Sequence, residues 1–401
     1  MVAALPILHL ARSAEQRLRA GHPWVYSNEL NAKAGQLGLP AGALVELRGA
    51  REAVLGLGYF NPATLIAVRV LDTRSDVAID QDFFAQRLAR ARQLRRDLGR
   101  AQFGRQVHGE ADGLPGLILD RYDDVLVGQI GTAGLEVRKA ELTAAIHAVH
   151  VPAALLWKSD GAGRALEGLA EESLVHGSGQ RVEHLRVQEG AVRFEIPLVH
   201  AQKTGWFYDQ RDNRDRVDAL LGGALAGQRM LDICSYQGGW ALRALHAGAA
   251  HATCVDASAD ALSGCVRNAA LNGIAATRVQ TLRGAAMEVL RELPDDARFG
   301  LVVADPPAFI KRRKDAQAGA IAYARLFAAA LRRVQPRGFL VVCSCSHHYP
   351  ADALLDALRD AAAKQRRPLR VLAELAQGAD HPVHPALPET RYLKGLLCAL
   401  D

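Results

Sequence analysis

"RMLDICSYQGGWALRALHAG", residues 229–248, decides the fold. "RMLDICSY" is apolar enough for a buried strand, and the run that follows predicts a helix stopped by Gly248. Between them Gly238 and Gly239 leave room for a ligand to approach the backbone, where the helix opens with free amides. The same unit recurs downstream. "HATCVDAS" (251–258) is strand-like, and "SADALSGCVRNAALNG" (258–273) is a helix with Ser258 as its N-cap and Gly273 as its stop. "FGLVVADPP" (299–307) and "GFLVVCSCS" (338–346) are further apolar strands around a helical run at 316–334. This alternation predicts an α/β fold, a parallel sheet with helices on both faces. In such sheets ligands bind beyond the carboxyl ends of the strands.

Those strand ends carry the candidate chemistry. The first turn lacks G-x-G-x-x-G, which disfavours a dinucleotide. Asp256 ends the second strand, 24 residues after Asp232, where a carboxylate suits a ribose diol; a turn or helix-capping role suits it equally. In "ADPPAF" (304–309) two prolines enforce a stiff exit that presents Asp305, or simply terminate the strand. "GFLVVCSCSHH" (338–348) admits a metal site with His347 and His348, a buried inert thiol, or a nucleophile. A metal needs ligands at spacings this segment does not offer, so no metal is expected. Cys343 suits the inert thiol, and Cys345, where the strand gives out, suits a reactive one.

The rest of the chain is less specific. Its 401 residues exceed one ordinary core, so two or three domains are expected. Residues 43–71 alternate in strand fashion around glycines and mark a small β module over 1–72. A second domain is expected over 73–183 and a third over 184–401, led by a hairpin at 185–196 that turns at Glu189 and Gly190. In the second, residues 81–100 form an amphipathic helix with Phe84, Leu88, Ala91, Leu94 and Leu98 on the apolar face. Arg87, Arg90, Arg92, Arg95, Arg96 and Arg100 line the other face, either solvated or turned to phosphates. A composition of 49% hydrophobic and 23% charged residues is that of a soluble globular protein, and no signal peptide or membrane span is apparent, so a cytoplasmic location is expected. Six cysteines without C-x-x-C spacing indicate reduced thiols, and the formal charge of +6 permits a polyanionic partner.

Taken together, "QKTGWFYDQRDNR" (202–214), the 229–248 stretch, "VDASADAL" (255–262) with Asn268 and Asn272, "ADPPAF", "CSCS", "GADHPV" (378–383) and "ETRYLKG" (389–395) resemble one family. It is the class I S-adenosylmethionine-dependent ribosomal RNA large subunit methyltransferase I family, which forms 5-methylcytosine. Upstream, "GHPWVYSNEL" (21–30) and "GLGYFNPATLIAVRVL" (56–71) resemble its PUA domain, and "HGEADGLPGLILDRYDD" (108–124) its central domain. The resemblance implies a C-terminal Rossmann-like methyltransferase sheet behind a PUA-like RNA-binding β domain and a central α+β domain. It implies S-adenosyl-L-methionine as cofactor and large-subunit (23S) ribosomal RNA as partner, with no membrane and with a homodimer left open.

Residue by residue, the resemblance assigns Phe207, Asp232, Ser235, Tyr236, Gly238, Gly239, Asp256 and Asp305 to the cofactor. Cys345 is the nucleophile and Asp305 faces the target base; Arg211, Pro306, Pro307, Phe309 and Lys311 meet the RNA. Two departures stand out. Gly284 and Ala285 replace the family's acidic adenine partner, leaving adenine to a backbone carbonyl, and the aromatic order in "GWFYDQR" differs from the family's. No residue is assigned as the base that takes the carbon 5 proton. Two other readings compete: nitrogen methylation of guanine or adenine, against which Ala308 stands in place of a stacking aromatic, and a non-enzymatic ribosome-assembly factor.

Overall fold

The computed structural model describes residues 5–401 apart from 34, 36, 162, 178–181 and 199–200. It divides into two compact units. One takes in Met1–Val182, Ala201–Trp206 and Ala379–Thr390; the other takes in Glu183–His200, Phe207–Gly378 and Arg391–Asp401.

In the first unit, β1 (Ile7–His9), α1 (Arg12–Arg19), β2 (Trp24–Tyr26), β3 (Ala43–Arg48), β4 (Val54–Phe60) and β5 (Ile66–Asp72) build a five-stranded sheet in the order β1-β3-β4-β5-β2. Then come α2 (Gln81–Asp97), β6 (Phe103–His108), β7 (Leu117–Tyr122), β8 (Val125–Ile130), α3 (Ala133–Val137), α4 (Lys139–His150), β9 (Ala154–Ser159), α5 (Gly163–Leu166) and β10 (Glu172–Gly177). These strands form a second sheet in the order β10-β9-β8-β7-β6. Its core includes Phe84 and Leu88 of α2, Leu142 and Ile146 of α4, and Trp157 of β9.

The arginine-rich helix departs from the expectation. Leu94 and Leu98 are exposed at 41% and 37%, whereas Arg95 is fully enclosed. Arg95 binds both oxygens of Asp112, at 2.5 and 2.7 Å, and the carbonyls of Arg105 and Asp380. Arg87 donates to the carbonyls of Gly113 and Leu71, and Arg92 to that of Val149. These three arginines tie the helix down. Arg90 and Arg96 stay exposed.

The second unit opens with the antiparallel hairpin of β11 (His184–Glu189) and β12 (Val192–Pro197). It turns at Gly190 and Ala191, one residue later than expected, because Glu189 still pairs with Val192 and Gly190 takes the positive φ. Next are α6 (Arg211–Leu221), β13 (Arg229–Ile233), α7 (Gly239–His246), β14 (His251–Asp256), α8 (Ala259–Leu271), β15 (Val279–Arg283) and α9 (Ala286–Glu292). They are followed by β16 (Phe299–Ala304), α10 (Ala316–Arg333), β17 (Val334–Ser344), α11 (Ala351–Gln365), β18 (Leu369–Ala376) and β19 (Lys394–Leu400).

The sheet order is β15-β14-β13-β16-β17-β19-β18. The first five strands are parallel, β19 runs antiparallel to β17, and β18 antiparallel to β19. As expected, Ser258 caps α8 by accepting the Ala261 amide. The strand order reverses between β13 and β16, so the switch-point crevice opens at their carboxyl ends. Asn268 of α8 and Asn272 at its end also do something the sequence did not indicate. Their side-chain amides bond the backbone of β12 at Glu195 and Arg193, as a neighbouring strand would.

Candidate active site

Strand β13 runs into a turn whose backbone only a tightly held sequence sustains. Cys234 and Tyr236 have φ of 64° and 49°, and Gly238 has 85°. A Cβ built on Gly238 comes within 3.3 Å of Cys265 Sγ and Leu242 Cγ, so a side chain there is both strained and crowded. The turn is pinned from α8: Cys265 Sγ lies 3.1 Å from the Tyr236 carbonyl and Asn268 donates to that of Gln237. Asp256, at the end of β14, accepts the Tyr236 amide on one oxygen (3.0 Å) and the Ser258 amide on the other (2.9 Å). It is thus oriented by backbone while each oxygen retains accepting capacity.

Asp232 is fully enclosed; one oxygen accepts the Ala241 amide of α7 at 3.1 Å, and the other has no hydrogen-bond partner. Burial, with Asp305 and Asp256 adding to it, pushes its carboxyl up to about 8. Nor does the buried side-chain amide of Gln237 have a partner. Such orphaned polar atoms beside a glycine turn and a helix N-terminus fit a ligand that carries both donors and a carboxylate.

Asp305, directly after β16, is partly exposed and doubly held: Gln210 Nε2 donates to one oxygen at 2.9 Å and Trp240 Nε1 to the other at 3.2 Å. Burial pushes its carboxyl up to about 6, and Asp209 adds to this against the Trp240 bond and Arg214. The "FYDQR" segment is anchored throughout. Phe207 meets Tyr236 edge-on at 5.1 Å, Asp209 accepts the Tyr392 hydroxyl at 2.7 Å, and Asn213 holds Gln210 at 2.6 Å. Arg211 opens α6 behind it and is half-buried.

On the far side of β16, β17 delivers the two cysteines. Cys343 is fully buried, and burial raises its thiol well above the ordinary range; Cys345, one residue past the strand, is half-exposed. The turn carrying it is stitched at Ser346. That hydroxyl accepts the Ile310 amide at 3.1 Å and bonds the Tyr323 hydroxyl at 2.8 Å. Tyr323 in turn stacks on Tyr349 and packs against Phe309, with centroids 4.6 and 4.7 Å away. Lys394 Nζ donates to the carbonyls of Ser346 and Tyr349. Pro307 and Lys311 are exposed, Phe309 is half-buried and Pro306 is buried. Among the described residues no cluster of three or more histidine, cysteine or acidic side chains could hold a metal.

The expected residues Asp232, Ser235, Tyr236, Gly238, Gly239, Asp256, Asp305 and Cys345 therefore all gather at the carboxyl ends of four adjacent strands. Gln210, Trp240, Tyr392 and Lys394 were not singled out, although each lies within a stretch quoted for the family resemblance. Gly284 lies just past β15, where its amide bonds the Asp256 carbonyl.

Family models match at residues 8–73, a PUA-like domain, and at 166–396, an S-adenosylmethionine-dependent methyltransferase. Among solved structures, a Streptococcus mutans protein described as a SAM-dependent methyltransferase superposes with a TM-score of 0.81 at 18% identity, covering 98% of this chain and all of its own. A second methyltransferase structure, complexed with SAH, reaches 0.83 at 17% identity over the same shares. At those identities the likeness concerns the fold. Two curated relatives are closer in sequence, both called ribosomal RNA large subunit methyltransferase I. The one from Aliivibrio fischeri is 32% identical over 98% of each chain, and the one from Shewanella denitrificans is 34% identical over 97% of this chain and 98% of its own. With identity at that level over nearly the whole length and the methyltransferase model matched over more than half of it, this chain belongs to the S-adenosylmethionine-dependent ribosomal RNA large subunit methyltransferase I family.

Proposed function

We propose that the enzyme methylates carbon 5 of a cytosine in large-subunit (23S) ribosomal RNA, with Cys345 as the covalent nucleophile. The observation that carries this reading is the half-exposed thiol of Cys345 on a braced turn, at the end of the strand beside the one that presents Asp305. The names of the relatives supply the RNA, and the PUA-like sheet is the expected RNA-binding module.

Bound S-adenosylmethionine supplies an electrophilic methyl group. The residues that fit it are Ser235 to Gly239 and the unpartnered oxygen of Asp232 for the amino-acid end, Asp256 for the ribose, and Phe207 against Tyr236 as an apolar wall. Carbon 5 of cytosine is a weak nucleophile. Addition of the Cys345 thiolate to carbon 6 forms a sulfur–carbon bond and shifts the ring's carbon 5–carbon 6 π electrons toward carbon 5, which then takes the methyl group as the methyl–sulfur bond breaks and its electron pair stays with the departing thioether. Asp305, held by Gln210 and Trp240 and raised to about 6, is the group that in its protonated form donates to ring nitrogen 3 and accepts from the amine as charge develops on the ring. After methylation a base takes the carbon 5 proton, the double bond re-forms and the sulfur–carbon bond breaks, which returns the thiolate. The target must leave its stack, and Arg211, Pro306, Pro307, Phe309 and Lys311 are the residues assigned to receive the RNA.

Residues 1–72, 73–183 and 184–401 are read as the RNA-binding, central and catalytic parts. The enzyme is read as cytoplasmic, and a homodimer is compatible with this reading. No described helix is long and apolar enough to cross a membrane.

Cys345→Ala should abolish methylation while cofactor binding by calorimetry persists, and RNA with 5-fluorocytosine at the target should trap a covalent adduct that needs Cys345. Methyl groups appearing only on nitrogen, or near-normal turnover by Cys345→Ala, would sink the reading in favour of guanine or adenine methylation.

A further inference from the structure

The "RYLK" segment (391–394) leads into β19 and has no role in the chemistry so far. Its two long polar side chains reach opposite halves of the site. Tyr392 bonds Asp209, whose segment holds Asp305 through Gln210. Lys394 reaches the other half. Register sets it opposite Ser344, the last residue of β17, so its side chain extends along the turn that begins at Cys345. There Nζ donates to the Ser346 carbonyl at 2.6 Å and the Tyr349 carbonyl at 2.9 Å. An ammonium has three protons to give, and these carbonyls take two. The side chain is half-buried, so its charge acts with little screening by water. Neutral donors would satisfy two carbonyls at a smaller desolvation cost.

We propose that Lys394 is a positioning residue for Cys345: it fixes the turn that bears the thiol and supplies the positive charge that favours the thiolate. The inference rests on the reading of Cys345 as nucleophile. Other titratable groups also face the turn. Asp305, at the end of β16, opposes an anion; Tyr323 of α10 and Tyr349 are both raised by burial and stay neutral near pH 7. His347 and His348 lie on the turn itself and are exposed. Burial lowers Lys394 to about 8, with Cys345 pulling it back upward, so the ammonium is present below about pH 8 and fades above it.

Alkylation of Cys345 by iodoacetamide, followed by peptide mass mapping across pH, tests this without any RNA. In Lys394→Met the rate at neutral pH should fall about tenfold and its midpoint rise by about one pH unit, the scale of losing one nearby charge. Lys394→Arg should keep a near wild-type profile. A Lys394→Met profile that superposes on wild type overturns the charge role, as does a Lys394→Arg profile that falls with it while both bind cofactor normally. If Lys394→Met does not fold, the wild-type chain decides: Cys345 should ionise below the ordinary thiol value of about 8.5, and titration at or above that value overturns the proposal. Methylation by Cys345→Ala, assayed in parallel, separates this outcome from the nucleophile reading, because activity there defeats the nucleophile and leaves the alkylation result standing.

Discussion

Arg95, in the unit with the PUA-like sheet, and Asp232, in the methyltransferase unit, are equally enclosed, yet they are treated differently. Arg95 is matched on every side, by the two oxygens of Asp112 and two carbonyls. Close by, Arg105 makes a paired contact with Asp120, and Asp380 accepts from the Arg105 amide and bonds His381 at 2.8 Å. Burial works against the Asp380 anion, but His381 and Arg105 together hold its carboxyl down at about 2. In the methyltransferase unit Asp232 and Asp305 are instead pushed up, to about 8 and about 6. A buried charge with its partners complete belongs to the architecture, and an acid that burial pushes up, left short of a partner like Asp232 or held by neutral donors like Asp305, belongs to a site.

The largest expected effect comes from removing one member of each kind. Arg95→Ala strands Asp112 and two carbonyls, so it should cost about 3–5 kcal/mol in urea unfolding. Asp305→Asn removes a strained charge, so stability should hold or rise while methylation falls about 10²–10³-fold. Equal losses of stability in the two variants would erase the contrast.

A second test uses pH. In the first unit burial drives His108 down to about 2 and His150 to about 3, and Asp380 is held at about 2. All three bind fewer protons folded than unfolded, so their contribution is present above about pH 6.5 for the histidines and 3.8 for the aspartate, and is lost as pH falls. Asp232 and Asp305 bind more protons folded, so their unit gains stability as pH falls from about 8 toward 3.8; the lowered His251 opposes this. Between about pH 7 and 5, hydrogen-exchange protection, corrected for the intrinsic rate at each pH, should therefore fall in peptides around His108 and His150 and rise in β13 and β16, by at most about 1.4 kcal/mol per group per pH unit. Parallel drift in both sets would break the comparison.

What the sequence disclosed follows the same division. The apolar strands β13, β14, β16 and β17 were legible because parallel strands buried on both faces show as continuous runs, and Asp256, Asp305 and Cys345 were legible because they stand where those runs stop. The residues that hold them were not. Gln210 and Trp240 reach Asp305 across 95 and 65 positions, Tyr392 reaches Asp209 across 183, and Lys394 reaches Ser346 across 48. No periodicity encodes such pairs. Arg95 failed for a related reason: a helical pattern assigns arginine to the wet face, and the carboxylate that draws it inward lies 17 residues on, in another element.

The smallest expected effect concerns what remains of the arginine helix as an RNA surface. With Arg87, Arg92 and Arg95 bonded to the protein's own carbonyls and carboxylates, a phosphate could claim them only by breaking those bonds. Arg90 and Arg96 are exposed on the same helix, and among the described residues their side chains make no such bonds. If they meet RNA phosphates, replacing both by glutamine should reduce the salt slope of RNA binding by about 2, roughly one per lost phosphate contact, without moving the urea midpoint. Arg92→Gln, in contrast, should move the midpoint and leave the slope alone. A slope unchanged in the Arg90 and Arg96 double variant would assign the whole helix to architecture, and RNA affinity would then have to come from the PUA-like sheet and the basic run at 311–314, whose exposed side chains follow Asp305 by a few residues.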